Sequence, residues 1–161
     1  MAQQLWLLRH GEAEPHDVVP DAERRLTDRG REQSVAAGRA LAALKIQIHL
    51  AFTSPRVRAR DTALLACEAL GVQPIEHEPL SAGFDAADAA ELMAAAGADQ
   101  RVLVVGHEPD FSQVVHDLTG GRVDLKKGGI AALRLEGARS ELFVLLRPKE
   151  LRAIAEPPSA P

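Results

Sequence analysis

Hydrophobic positions follow two patterns along this chain, and the patterns alternate. Leu5-Trp6-Leu7-Leu8 and Val102-Leu103-Val104-Val105 are unbroken apolar runs, which suit strands buried on both faces. Between them Ala37, Ala40, Leu41 and Leu44 keep the i, i+3, i+4, i+7 spacing of a helix that packs by one face, with Glu32 and Arg39 on the far side. Thr27 is its expected N-cap, and Asp28 complements the positive end of the helix dipole. His49 to Thr53 reads as a second strand. Ser54 then serves as cap and Pro55 as first residue of a helix that runs to about Leu70 and closes at Gly71.

Farther on, Ile75 to Glu78 gives a short strand bounded by Pro74 and Pro79. Ala89, Leu92, Met93 and Ala96 have helical spacing up to Gly97. Pro109 opens a helix with Phe111, Val114, Val115 and Leu118 on its apolar face, stopped by Gly120-Gly121. Ile130 to Leu135 and Leu142 to Leu146 form a hairpin around Gly137. Strands alternating with helices predict an α/β fold: a three-layer α/β/α sandwich with a mainly parallel central sheet. The connections are too short for a second domain, so residues 1–156 form one compact unit without a large cap, and 157–161 form a frayed tail.

Composition narrows the picture. At 161 residues and 46% hydrophobic, the chain can bury a real core. Its longest apolar stretches, such as Ala89 to Ala98, fall short of the about 20 residues that span a bilayer, and Arg9, His10 and Glu12 interrupt any leader-like start. A cytoplasmic location without a membrane partner is the expectation. Cys67, the single cysteine, has no partner for a disulfide or a thiolate metal site and sits among Leu64, Leu65 and Leu70 as a core residue. With 19 basic against 23 acidic residues, 3% aromatics and no tyrosine, the chain lacks both the charge and the stacking platforms of a nucleic-acid binder.

Two strands deliver polar residues to the edge where open α/β sheets gather ligands: Arg9-His10-Gly11 and Gly106-His107-Glu108. Burying a guanidinium without an anion is costly. A third segment, Ser54-Pro55-Arg56-Val57-Arg58-Ala59-Arg60, brings cations to the start of a helix, where they are unfavourable unless an anion is present. That anion is phosphate, which arginine grips with a planar fork. Arg58 is the strongest candidate, and Arg60 is read as part of a solvated face. A metallophosphoesterase would need several ligands at strand ends, and the Arg9 and Arg58 charges would repel its cation, so neither metal nor cofactor is expected.

Leu8-Arg9-His10-Gly11-Glu12, Thr53-Ser54-Pro55-x-x-Arg58-Ala59-x-x-Thr62-Ala63 and Val105-Gly106-His107-Glu108 together resemble the histidine phosphatase superfamily. The Arg-His-Gly-Glu-Ala start, Leu26-Thr27-Asp28-x-Gly30 and the closing Lys127-Gly128-Gly129-Ile130-Ala131 are most similar to the small SixA-like phosphohistidine phosphatases. The resemblance spans nearly the whole chain and implies a phosphoglycerate-mutase-like fold. It further implies that His10 is the nucleophile that becomes phosphorylated and that Arg9, Arg58 and His107 surround the phosphoryl oxygens. His16, near where mutase-like relatives contact phosphate, and Glu108 join the phosphate-binding set. Glu12 is read as orienting Arg9.

Relatives that act on alkyl phosphates use a carboxylic acid between the second and third motifs to protonate the leaving oxygen. Glu78 and Asp85 are the candidates here, without a clear match to that position. A phosphoramidate leaves more easily, and an uncapped cleft suits a phosphorylated side chain of another protein. The expected substrate is therefore phosphohistidine on a partner protein, with inorganic phosphate as product. The alternatives are a metal-independent phosphatase of small phosphomonoesters and, less favoured, a non-catalytic phosphoprotein-binding module. Lys126 and Lys127 read as a charged turn before a strand, and His49, His77 and His116 as surface histidines.

Overall fold

Leu5, Trp6, Leu7 and Leu8 are at most 1% exposed, because β1 (Gln3–Arg9) is flanked on both edges and covered on both faces. The computed structural model describes residues 2–157. Beside β1 run β4 (Arg101–Gly106), parallel to it, and β5 (Ile130–Glu136), antiparallel. With β2 (Leu50–Thr53), β3 (Pro74–Glu76) and β6 (Arg139–Leu146) the sheet order is β3-β2-β4-β1-β5-β6, and β5 alone runs against the rest.

Alternation along each strand divides the core into two layers. Trp6 and Leu8 face one layer with Ala51, Leu103, Val105, Ile130 and Ala132, beneath α1 (Asp28–Ala43), α2 (Val57–Leu70) and α5 (Pro148–Ala155). Leu5 and Leu7 face the other with Val102, Val104, Ala131 and Leu133, beneath α3 (Ala86–Ala94) and α4 (Asp110–Thr119). The result is the predicted three-layer sandwich. Cys67 lies in the first layer, where burial pushes its thiol up to about 11.

Register then fixes where polar segments emerge. Arg9 lies opposite Gly106 and Thr53 opposite Val105, so the residues following β1, β2 and β4 leave the sheet side by side at its carboxyl edge. Small residues allow two of the covering helices to sit close against each other: a Cβ on Gly38 of α1 would lie 2.1 Å from the carbonyl oxygen of Ala66 in α2.

Element bounds differ from expectation in places: β3 spans Pro74–Glu76 instead of Ile75 to Glu78, and β6 starts at Arg139 instead of Leu142. The helix after β2 begins at Val57 rather than Pro55, with Arg56 as a cap that makes no side-chain cap bond. Beyond β6, α5 closes over α1, an element that the hydrophobic pattern did not predict because Leu151 alone is fully buried in it. The tail expected from Pro157 lies almost wholly outside the described residues. Among those described, no helix is long and apolar enough to cross a membrane.

Candidate active site

The turn after β1 is clamped from below. His10 continues the ladder by donating its backbone N–H to Gly106 at 3.0 Å, and Gly11 donates to the hydroxyl of Thr62 at 3.1 Å. Glu12 donates its N–H to Oε1 of Gln33 at 2.9 Å, while its carboxylate accepts from the Thr27 hydroxyl at 3.0 Å. Thr27 caps α1 as expected, accepting from the Gly30 N–H at 3.1 Å. The first turn of α1 therefore holds the loop that carries His10.

That loop sets the protonation of His10. Nδ1 lies 2.7 Å from the carbonyl oxygen of Gly11. A carbonyl only accepts, so Nδ1 carries the proton and Nε2 keeps its lone pair. Burial pushes the ring down to about 3, and Arg58, Arg9 and Lys127 add to the shift while the Gly11 carbonyl opposes it. His10 is neutral throughout the physiological range, with Nε2 ready as a nucleophile. The Nε of Arg58 lies 3.4 Å from that nitrogen, a long contact.

Across the cup stands His107, its ring centroid 5.2 Å from that of His10 and tilted by 56°. Its Nε2 is 2.8 Å from the Ser54 hydroxyl, whose oxygen accepts from the Arg56 N–H at 3.2 Å and whose proton is thereby free to go to Nε2, which leaves the ring proton on Nδ1. Burial likewise pushes His107 down to about 3, with the nearby His10 and Arg58 contributing. Its Nδ1 and the Nε of Arg9 are both buried without a protein partner among the described residues. Each such group costs about 1–3 kcal/mol unless something pairs with it.

The cations are held individually. Arg9 donates from Nη1 to the Leu125 carbonyl at 2.9 Å; burial lowers its pKa, while Glu108 and Asp124 oppose the change. Arg58, 4% exposed, donates from Nη1 to the Asp21 carbonyl at 2.7 Å. The carboxylate of Asp21 also pairs with Arg56, and with Arg24 at 3.1 Å. Asp21 sits in a short 3-10 turn, Asp21–Glu23, that sequence reasoning passed over.

The fold thus brings Arg9, His10, Arg58 and His107 to one cup and leaves the other candidates outside it. His16 is 83% exposed in its side chain and reaches only Asp21, at 3.6 Å. Glu108 turns away to its own helix, accepting from the backbone and hydroxyl of Ser112, so it acts on Arg9 through charge. Glu12 pairs with Thr27 and, at 3.7 Å, with Arg29 instead of orienting Arg9. Glu78 is exposed in a 3-10 turn beyond β3, and Asp85 caps α3 by accepting from the Asp88 N–H at 2.9 Å. Two residues with clear roles were missed. Ser54 looked like a helix cap, and no local pattern marked Asp21.

Comparison with known proteins bears on the same residues. The model of the histidine phosphatase superfamily (branch 1) matches residues 5–81, which include Arg9, His10 and Arg58. An uncharacterized protein of Picosynechococcus sp. is 35% identical over 162 residues, covering 92% of this chain and 98% of that protein. The chain belongs to the histidine phosphatase superfamily. Within the superfamily, the protein histidine phosphatase SixA complexed with tungstate matches it with a TM-score of 0.83 and 25% identity, over 92% of this chain and 99% of that one. A mycobacterial glucosyl-3-phosphoglycerate phosphatase shares the fold at a TM-score of 0.71 and 20% identity, over 91% and 100%. The fold of this superfamily member is phosphoglycerate-mutase-like.

Proposed function

We propose that this protein is a phosphatase that passes a phosphoryl group through a covalent intermediate on Nε2 of His10, and that its substrate is phosphohistidine on a partner protein. The observation that carries the reading is the 2.7 Å contact between Nδ1 of His10 and the Gly11 carbonyl, which leaves Nε2 as a lone pair inside a cationic cup. In the first step that lone pair attacks phosphorus as the bond to the leaving group breaks, and the leaving group takes the bonding electrons and a proton. Positive charge then develops on the His10 ring, where the Gly11 carbonyl stabilises the remaining Nδ1–H. In the second step water attacks phosphorus, the P–Nε2 bond breaks, and inorganic phosphate and neutral His10 are released.

Charge stabilisation is the main task in such a transfer. Arg9 and Arg58 supply fixed cations, while the unpartnered Nδ1 of His107 and Nε of Arg9 are polar atoms for phosphoryl oxygens to meet. The oxyanion tungstate in the SixA complex is consistent with this chemistry.

Leaving-group chemistry supports the substrate choice. An alkoxide needs an acid, yet Glu78 is exposed and Asp85 is committed to capping α3. The imidazole of phosphohistidine takes a proton from water near neutral pH and departs as a neutral ring. Small phosphomonoesters are the second reading, favoured by the fold shared with a glucosyl-3-phosphoglycerate phosphatase.

The test compares a histidine-phosphorylated protein, a phosphotyrosine peptide and small sugar phosphates with one preparation, and quenches the reaction to trap phosphoenzyme. Phosphate release should be fastest from phosphohistidine and absent in His10→Ala. A preference for a sugar phosphate would overturn the substrate. Binding without release would leave only a binding module, and wild-type rates in His10→Ala would end the mechanism.

A further inference from the structure

A cleft of about 440 Å3 opens beside the cup, and its lining holds Arg9, Arg29, Lys126, Lys127, Arg147 and Lys149 against one carboxylate, Glu12. The protein as a whole carries a net charge of −4, so this is a local concentration of positive charge and not a property of the surface at large. Part of the charge is compensated: Lys126 pairs with Asp124 at 2.8 Å, Arg29 with Glu12 at 3.7 Å and Arg147 with Glu150 at 2.9 Å. Lys127 and Lys149 are exposed and have no carboxylate within 4.0 Å among the described residues. The cleft adjoins the cup, because Arg9 lines the cleft and Lys127, also in its lining, is close enough to lower the pKa of His10. A second cavity sharing Arg29, Gln33, Pro148 and Lys149 continues along α1 and α5 toward Arg152, but it also carries the carboxylates of Glu32 and Glu156, so the excess of positive charge is confined to the part next to the cup.

We propose that this groove docks an acidic segment of the phosphorylated partner, which rests on the reading of the cup as a phosphatase site for a phosphoprotein. Like charges gathered in one groove repel each other, and a run of carboxylates relieves that repulsion while steering the partner toward the cup. The groove lining contains no aromatic residue, so it offers no platform for stacking bases, which favours a peptide over a single-stranded nucleic acid. In the sequence Lys126 and Lys127 could attract an acidic partner, but read first as a charged turn before a strand. The fold gives them a role by setting them opposite Arg29 and Lys149.

The test reads groove and chemistry separately. Binding of a fluorescein-labelled hexaglutamate peptide is followed by anisotropy, and turnover by p-nitrophenyl phosphate and by synthetic phosphohistidine peptides flanked by glutamate or by serine. The wild type should bind hexaglutamate and prefer the glutamate-flanked peptide by about tenfold at low salt, with the preference fading as salt screens the groove. Lys126→Glu with Lys149→Glu should abolish both effects while p-nitrophenyl phosphate turnover stays within about twofold, which also shows that the variant folds. Lys126→Gln with Lys149→Gln should fall between.

Equal binding by wild type and charge-reversed variant, with p-nitrophenyl phosphate still turned over, would overturn the docking groove and leave the phosphatase intact. An oligouridylate that displaces hexaglutamate at lower concentration would overturn the peptide assignment. Hexaglutamate binding with no phosphate release from any substrate would defeat the phosphatase reading and the docking role with it.

Discussion

Asp21 holds Arg58 from two directions: its carbonyl oxygen accepts from Nη1 at 2.7 Å, and its Oδ2 lies 3.3 Å from Nη2. The same carboxylate pairs with Arg56 and Arg24, so one anion keeps three like-charged guanidinium groups together at the rim of the cup. Arg58→Ala, which removes the cation itself, should cost about 3–4 kcal/mol of transition-state stabilisation. Asp21→Asn keeps the carbonyl contact and loses only the charge, so kcat should fall less, by about tenfold. Its affinity for orthophosphate should hold or rise, because the rim becomes more positive. Inhibition by orthophosphate measured beside kcat separates these effects. A variant with wild-type kcat would remove Asp21 from any positioning role.

Ser54 joins β2 to β4 through the 2.8 Å contact between its hydroxyl and Nε2 of His107. In Ser54→Ala both ring nitrogens of a 7%-exposed imidazole would lack a protein partner. Leaving such a group unpaired costs about 1–3 kcal/mol. We expect kcat to drop between about 10-fold and 100-fold, with a smaller change in KM. Ser54→Thr retains the hydroxyl and should recover most of the rate. If Ser54→Ala turned over normally, His107 would have to be fixed by something other than this contact.

Both cup histidines are held near 3, mainly by burial, against an ordinary value of 6.5. Below pH 6.5 the unfolded chain therefore binds protons that the folded chain refuses. Stability is complete above that pH and is lost as pH falls toward 3, by about 2 kcal/mol per ring at pH 5. Urea unfolding at pH 7 and pH 5 should show a larger loss for the wild type than for His107→Gln. In kcat/KM, corrected for substrate ionisation, no acid limb from His10 should appear between pH 5 and 8. A limb at 6.5 would mean that the ring is far more hydrated than its packing indicates.

How much of this was legible beforehand depended on whether the signal was local. The apolar runs of β1 and β4 are properties of consecutive residues, and the rule that ligands gather at carboxyl ends of strands then placed Arg9, His10 and His107 together. Asp21 gave no such signal, because it lies in a proline-bounded loop and its partners, Arg56 and Arg58, are 35 and 37 residues away. Ser54 precedes proline and so mimicked a cap, whereas its hydroxyl turns across the sheet to a residue 53 positions later. α5 escaped notice because its opening Pro-Lys-Glu shows charge where a longer helix would show an apolar stripe.

Gly30 offers the most direct test that α1 supports the nucleophile. A Cβ there would lie 2.0 Å from the carbonyl oxygen of Glu12, and one on Gly11 would lie 2.5 Å from the carbonyl oxygen of Gly30. Alanine is the better helix former by about 1 kcal/mol, which taken alone would favour Gly30→Ala. The clash opposes it: the obstacle is backbone, tied on one side to Gln33 and on the other to Thr27, and overpacking of this kind costs about 1–3 kcal/mol. The clash should win, and the loop that yields also carries the Gly11 carbonyl on which the His10 tautomer depends. Gly30→Ala should therefore lower both stability and kcat. Gly38→Ala is the matched control: its Cβ would meet the Ala66 carbonyl oxygen at 2.1 Å, but about 12 Å farther along α1. That variant should lose stability and keep the kcat of its folded fraction. If the two variants lost activity equally, the damage would be to the packing of α1 in general, and the special link between its first turn and His10 would be disproved.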